Sequence, residues 1–554
     1  MNRKHSPQLN AAMQSLVEEA IVTSTFDYIV VGGGSSGCAV ASRLSENPEI
    51  SVALLEAGGA GDDWIIRTPA ALFLMVGSSI HNWSFHTVPQ RGLDGRMGYQ
   101  PRGKALGGSS AINAMCYIRG NRLDYDGWAA LGNVGWSYAD VLPYFKRAED
   151  NNQFRDEYHA QGGPLSVSKL QSENPVIDIY LQAAREAGYP ICEDFNGAEQ
   201  EGLGRYQVTQ KDGERCSAAR GYIHPIMKTR RNLQVEIHTL ATRILFEGKR
   251  AVGVEFRQGS QTKLCRARRE VILSAGVFQT PQLLKLSGVG PGDEIRRHGL
   301  AVVHDLPGVG ENLHDHPDFV FGYSSDHPYL YGVSLPEASW LLLAAKEYSH
   351  DHRGPLSSNF AEGGGFLKSR PELAAPDIQL HFGPVLIDDH GRKFHWGTGF
   401  SCHCAYLDPK SRGSVRLRSP NPQDSPEIDL NFLGESEDLE GMVTGFKLTR
   451  RLMDAPALKT IRKQDLFTEN VHSDEEIRQA LRERVDTVYH PVGSCKMGVN
   501  DPLAVVDPYL RVYGLEALRV VDASIMPKVV RGNTNAPAIM IGEKGADLIG
   551  AARS

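Results

Sequence analysis

The hydrophobic pattern of the chain is read most clearly where apolar runs stop at glycine. Phe26-Asp27-Tyr28-Ile29-Val30-Val31 is short, β-rich and closed by Gly32-Gly33-Gly34, which predicts a buried strand ending in a tight turn. A helical pattern follows, and Ser51-Val52-Ala53-Leu54-Leu55 predicts a second strand that delivers Glu56 at its carboxyl end. Arg269 to Gly276 has a similar layout, with Thr280-Pro281 opening a helix that Ser287-Gly288 stops. This strand is expected in the same sheet as the first. Leu518–Asp522 predicts a last strand, and 535–549 a closing helix with Ile539, Met540, Ala546 and Ile549 on one side. Gln379 to Gly383 and Gly413 to Arg418 alternate like sheet strands, whereas 60–100 lacks periodicity and is expected to be mostly loop.

Two further helices are predicted. Leu9, Met13, Leu16, Val17, Ala20 and Ile21 share a face over 6–22, with Ser6 as cap and Pro7 in the first turn. Its only charged side chains, Glu18 and Glu19, would not draw it to anionic lipid, so packing on the protein itself is expected. The Trp340–Ala345 stretch should be a buried helix covering a sheet, being too short to span a bilayer.

Spacing turns the first element into chemistry. Gly32, Gly34 and Gly37 form G-x-G-x-x-G between strand and helix, and Glu56 arrives about 20 residues on, where an acid meets a ribose hydroxyl. Gly32 permits the turn, Gly34 lets a pyrophosphate approach the backbone, and Gly37 lets helix and strand pack closely. The helix end then faces the phosphates. This fingerprint predicts a dinucleotide without separating FAD from NAD.

The chain has 554 residues, enough for two or more domains, and its 41% hydrophobic and 23% charged content is ordinary for a globular protein. A net charge of −7 argues against nucleic acid as a partner. The start lacks an apolar export signal, and eight cysteines suit a reducing compartment, so a cytoplasmic location is expected. Cys402 and Cys404 flank His403, but a strand of alternating small residues is the expectation, and no metal is predicted.

Three more blocks carry a resemblance. Gly103-Lys-Ala-Leu-Gly-Gly-Ser-Ser-Ala-Ile-Asn113, Gly276 to Gly290, and His490-Pro-Val-Gly-Ser-Cys-Lys-Met-Gly498 followed by Val521–Ser524 and Gly532 to Pro537 occur in the order of the glucose–methanol–choline (GMC) oxidoreductases. From about residue 26 to 550 the chain resembles that family, and most of all its bacterial choline-dehydrogenase-like and alcohol-dehydrogenase-like members. The resemblance implies an α/β FAD-binding Rossmann-like domain plus an α+β substrate domain built on an antiparallel sheet. The expected boundaries are a helical extension over 1–25, an FAD domain from 24–60, 103–120, 210–320 and 500–554, and a substrate domain with cover loops from 61–102, 121–209 and 321–499.

Carried over by position, the resemblance implies that Gly32, Gly34, Ser36, Gly37, Glu56 and Ala57 hold the ADP half of FAD, with Ala241 on the adenine side. Gly108, Asn113 and Ala114 would lie against the flavin ring and its chain, Asp522 and Ala523 near ribitol and pyrophosphate, and Thr534 would also touch the cofactor. Some relatives tether the flavin to a histidine where this chain has Ile112, so the FAD is expected to be non-covalent. His490 and Asn533 match the catalytic pair. A histidine takes the hydroxyl proton and an amide steadies the alkoxide while hydride leaves for flavin N(5). Asn535 is read as a helix cap, and His314 and His316 as structural. The expected reaction is oxidation of a primary alcohol to an aldehyde, with a quinone or other acceptor reoxidising the flavin and a peripheral contact at the inner membrane left open. The rivals are an oxygen-using oxidase and, further off, a lyase or decarboxylase on the same scaffold. Intact His490, and Leu407 in place of a decarboxylase cysteine, weigh against the latter.

Overall fold

The structure is a computed structural model that describes residues 21–333, 344–393 and 395–551. The helix expected over 6–22 lies outside these residues up to position 20, and Ile21 and Val22 instead begin a strand. The last residues of the expected 1–25 helical extension are therefore β structure. The Trp340 stretch also lies outside the described residues except for Ala344 and Ala345, which are helical.

Along the chain run β1 (Ile21–Val31), α1 (Ser35–Leu44), β2 (Val52–Leu55), β3 (Gly202–Arg205), β4 (Leu233–Glu236), β5 (Thr239–Glu247), β6 (Arg250–Gln258) and β7 (Gln261–Leu273). They are followed by α2 (Gly276–Leu286), β8 (Pro317–Ser325), β9 (Gly363–Leu367), β10 (Ile378–Gly383), β11 (Gly397–Tyr406), α3 (Ser436–Met453), β12 (Gln464–Asp465), β13 (Leu518–Val520) and α4 (Asn535–Ala551).

Among the described residues the first sheet has seven strands, in the order β4-β2-β1-β7-β6-β5 with β13 also on β7. β4, β2, β1, β7 and β13 run parallel to their neighbours, and β7-β6-β5 is an antiparallel meander. Ile29 sits opposite Val271 and Ala53, and Val31 opposite Leu273 and Leu55. These runs are continuously apolar because both faces of the parallel part are covered. α1 and α4 pack together there, Ser36 donating to the Ala538 carbonyl at 2.6 Å.

The second sheet, eight-stranded among the described residues, has the antiparallel order β12-β8-β11-β10-β9-β3. Its strands alternate, but polar positions do not face water. Ile378, Leu380, Phe382, Cys402 and Cys404 turn into a core closed by Phe446 of α3. Gln379 and His381 project to the opposite face, also buried. The two cysteines beside His403 are thus core packing.

One boundary differs from expectation. α2 begins at Gly276, so Pro281 lies inside it. A proline lacks the N–H that would serve the Val277 carbonyl four residues back, and that carbonyl accepts from the Ser494 hydroxyl instead.

Gly37 shows why the first turn needs glycine. A Cβ there would lie 1.9 Å from the Gly32 carbonyl oxygen. Gly37→Ala should therefore lower stability by about 1–3 kcal/mol, seen as a reduced Tm. Gly127→Ala, on a helix where a Cβ meets nothing within 4 Å, should leave Tm unchanged or raise it.

Candidate active site

One long cavity joins the two sheets. At one end it is walled by the turn after β1. Gly32 takes φ +101°, and Gly34, at the N-terminal end of α1, has space where a Cβ would point, its nearest neighbours being 3.9 Å and 4.0 Å away. α1 has no side-chain cap and no acid in its first turn, so its free N–H groups and positive end are available to an anion. Ser35 donates to Asn535 Oδ1 at 2.7 Å, bringing the start of α4 to the same place. Asn535 is the first residue of α4, with its side-chain oxygen spent on Ser35, rather than a cap preceding the helix.

Glu56 accepts from the Gly33 and Gly58 amides at 2.9 and 2.7 Å. Burial lifts its pKa to about 7 against those bonds and Lys104. Ser36, Glu56, Ala57 and Ala241 line this end of the cavity. Gly37 does not line it and packs behind the turn. Gly108 (φ +53°) would put a Cβ 2.6 Å from Gly34 Cα, so a glycine pair is needed where the two loops cross. Asn113, Ala114 and Ile112 continue the wall. Asp522 lines the opposite wall with Ala523 and Thr534, accepting from the Gly276 amide at 2.9 Å and the Thr280 hydroxyl at 2.6 Å. A narrow glycine cradle, open helix termini and an acid at the end of β2 fit an extended dinucleotide.

At the other end stand His490 and Asn533, with Asn533 Nδ2 3.1 Å from His490 Nε2. Gln379 donates to Asn533 Oδ1 at 2.9 Å. His490 Nδ1 is 3.2 Å from His316 Nδ1, and the His490 amide donates to Asp315 Oδ1 at 2.9 Å. Burial pushes the His490 pKa well below the usual imidazole value, with His316, His381 and Arg102 adding to the effect. Burial holds His316 and His381 down to about 3. His490 is therefore a neutral imidazole among neutral imidazoles, and Arg102 is a cation lining the same cavity.

His381 is not singled out by the sequence, and His403 is read there only as the residue between two core cysteines. His381 and His403 face each other across β10 and β11, and His403 Nδ1 is 2.6 Å from Asp318. The signal was the strand alternation itself, whose polar phase meets a ligand space rather than water. His316, expected to be structural, contacts His490 directly. His314 does serve structure, taking the Val529 amide at Nε2 and giving Nδ1–H to the Asn312 carbonyl at 2.7 Å. His395 pairs with Asp388 at 2.9 Å, and Trp396 is 76% exposed, so neither joins the cavity wall.

Comparison with known proteins agrees with this architecture. Over 528 residues the chain is 46% identical to an alcohol dehydrogenase [acceptor] of Pseudomonas putida, covering 95% of each chain. It is 44% identical to the human mitochondrial choline dehydrogenase, covering 95% of this chain and 89% of that one. A formate oxidase from Aspergillus oryzae RIB40, studied for modification of its FAD, superposes with a TM-score of 0.88 at 28% identity, covering 96% and 99% of the two chains. Family models described as GMC oxidoreductase match residues 26–318 and 409–542, and the chain belongs to that family.

Proposed function

We propose that this protein is an FAD-dependent dehydrogenase that oxidises a primary alcohol with an apolar tail to the aldehyde and passes the electrons to a quinone or similar acceptor. The observation that carries it is the buried, neutral His490 beside the Asn533 amide at the end of a dinucleotide-shaped cavity. The glycine turn, Glu56 and Ala241 would hold the adenosine half, the start of α1 with Asp522 and Ala523 the pyrophosphate and ribitol, and Gly108, Asn113, Ala114 and Thr534 the ring. Ile112 offers no nucleophile, which supports a non-covalent cofactor. FAD, when bound, supplies the hydride acceptor.

His490 Nε2 takes the hydroxyl proton once the substrate oxygen takes over the Asn533 N–H that its lone pair otherwise accepts, and its lowered pKa keeps that lone pair unprotonated. Asn533 Nδ2 donates to the oxygen as negative charge develops, a preorganised contact that water could supply only by reorienting. Arg102 adds positive potential.

The substrate class follows from the lining. Glu56 and Asp522 are the only carboxylates among the described residues lining the cavity, and both belong to the cofactor half. Leu72, Phe73 and Val76, from the segment 60–100 that lacks periodicity, join Phe360 and Ile387 in an apolar wall. A quaternary ammonium would find no lining carboxylate to offset its desolvation. The Pseudomonas putida relative, named for alcohols and an acceptor, supports the same reading. Among the described residues no helix is long and apolar enough to cross a membrane.

Four outcomes are expected. In anaerobic flavin-bleaching assays, aliphatic or aryl primary alcohols should exceed choline in kcat/KM by about tenfold, because no lining carboxylate offsets the desolvation of its charge; choline as the best donor would reverse the assignment. His490→Ala should retain the yellow cofactor and lose most turnover, and Asn533→Ala should lose about 10²–10³ in kcat, roughly 2.7–4 kcal/mol. The acid limb of kcat/KM should lie below the 6.5 of a free imidazole, because a base with a lowered pKa loses its lone pair only at lower pH.

A further inference from the structure

Asn533 can serve His490 and an alkoxide only if its amide is turned one way, with nitrogen toward the site. Reversed, it would offer a carbonyl to the developing negative charge and demand a proton on His490 Nε2. The partner that decides is Gln379, fully buried on β10 two residues before His381. Gln379 is itself an amide, so its orientation needs an external reference.

Tyr206 provides it. Its hydroxyl proton is given to the Leu380 carbonyl at 2.7 Å, and its oxygen accepts the Gly365 amide at 3.0 Å. Both groups belong to the backbone of the second sheet. With its one proton spent, Tyr206 can only accept from a side chain, and Gln379 Nε2 stands 3.4 Å away. The same Nε2 lies 2.9 Å from Asn533 Oδ1. A reversed Gln379 would set its carbonyl against the Tyr206 oxygen and leave a buried donor stranded where Oε1 now has no partner. Nitrogen toward Tyr206 therefore means oxygen of Asn533 toward Gln379, and nitrogen of Asn533 toward His490 Nε2. That nitrogen must then accept, so a neutral His490 carries its proton on Nδ1, directed at His316.

We propose that Gln379, referenced by Tyr206 to the strand backbone, is a positioning residue that fixes the orientation of the Asn533 amide and with it the protonation site of His490. The inference rests on the catalytic roles given to His490 and Asn533 above.

A double-mutant cycle tests it, using flavin-loaded full-length protein, with flavin content and Tm checking folding. Gln379→Met removes the donor at similar volume and should lower kcat on the order of tenfold with KM little changed, but cost nothing further in an Asn533→Ala background. Gln379→Glu supplies a second variant. As a carboxylate it only accepts, inviting Asn533 to turn round, so its kcat should fall further than that of Gln379→Met. Its activity relative to the parent should rise as pH falls and the carboxyl regains a proton. An equal loss from Gln379→Met in both backgrounds, or a Gln379→Glu ratio flat with pH, overturns the positioning role. If Asn533→Ala alone leaves kcat intact, the underlying reading fails instead.

Discussion

A histidine that works as a base on an alcohol has to present a lone pair, not a proton, to the substrate. In water the two ring nitrogens exchange that proton freely and an ordinary imidazole is partly charged near neutrality. Here burial removes the charged form, and hydrogen bonding selects the tautomer. His490 is enclosed so deeply that its pKa falls well below the free value, and its two nitrogens face Asn533 and His316. The low dielectric that makes the base neutral also makes each contact to a developing oxyanion count for more.

That enclosure is built by two sheets with different rules. The first is parallel at its centre, and α1 and α2 start where β1 and β7 finish, so two positive helix ends collect on that side of the sheet. The second is antiparallel, with a phenylalanine-rich face against α3 and its other face against the ligand space. Asp315 ties them together at the critical point. It sits just before β8 and accepts the backbone amides of both His316 and His490, at 2.8 and 2.9 Å, so the loop carrying His490 is pinned to the second sheet. Burial raises the pKa of this carboxyl to about 7, opposed by those bonds, Thr487 and Arg102. Its place is mechanical, holding main chain rather than meeting substrate.

Much of this was legible because it depends on local rules. Tight turns need glycine, and the spacing of Gly32, Gly34 and Gly37 gives the strand, turn and helix without any tertiary information. The blocks around Gly108, His490 and Asn533 are similarly compact in sequence. What escaped was set by pairing between distant strands. His381 and His403 become neighbours only through the register of β10 against β11, and a polar alternation reads as solvent exposure until the opposite layer is known. The start of α2 escaped for a related reason. Pro281 predicts a helix beginning beside it, and only the Ser494 hydroxyl, more than two hundred residues away, supplies the Val277 carbonyl with the hydrogen that the proline lacks.

The same distinction explains why an asparagine can stand beside the base at all. An amide is symmetrical in shape and opposite in chemistry, so its usefulness depends on neighbours that break the tie. A second histidine would share the proton and could itself become charged, whereas Asn533 has no proton to lose and no charge to gain. Its direction is set through Gln379 and Tyr206 by the Leu380 carbonyl and the Gly365 amide, groups whose polarity the sheet ladder dictates. Backbone hydrogen-bond polarity, fixed when the strands pair, thus reaches His490 Nε2 through three side chains without any of them having to ionise.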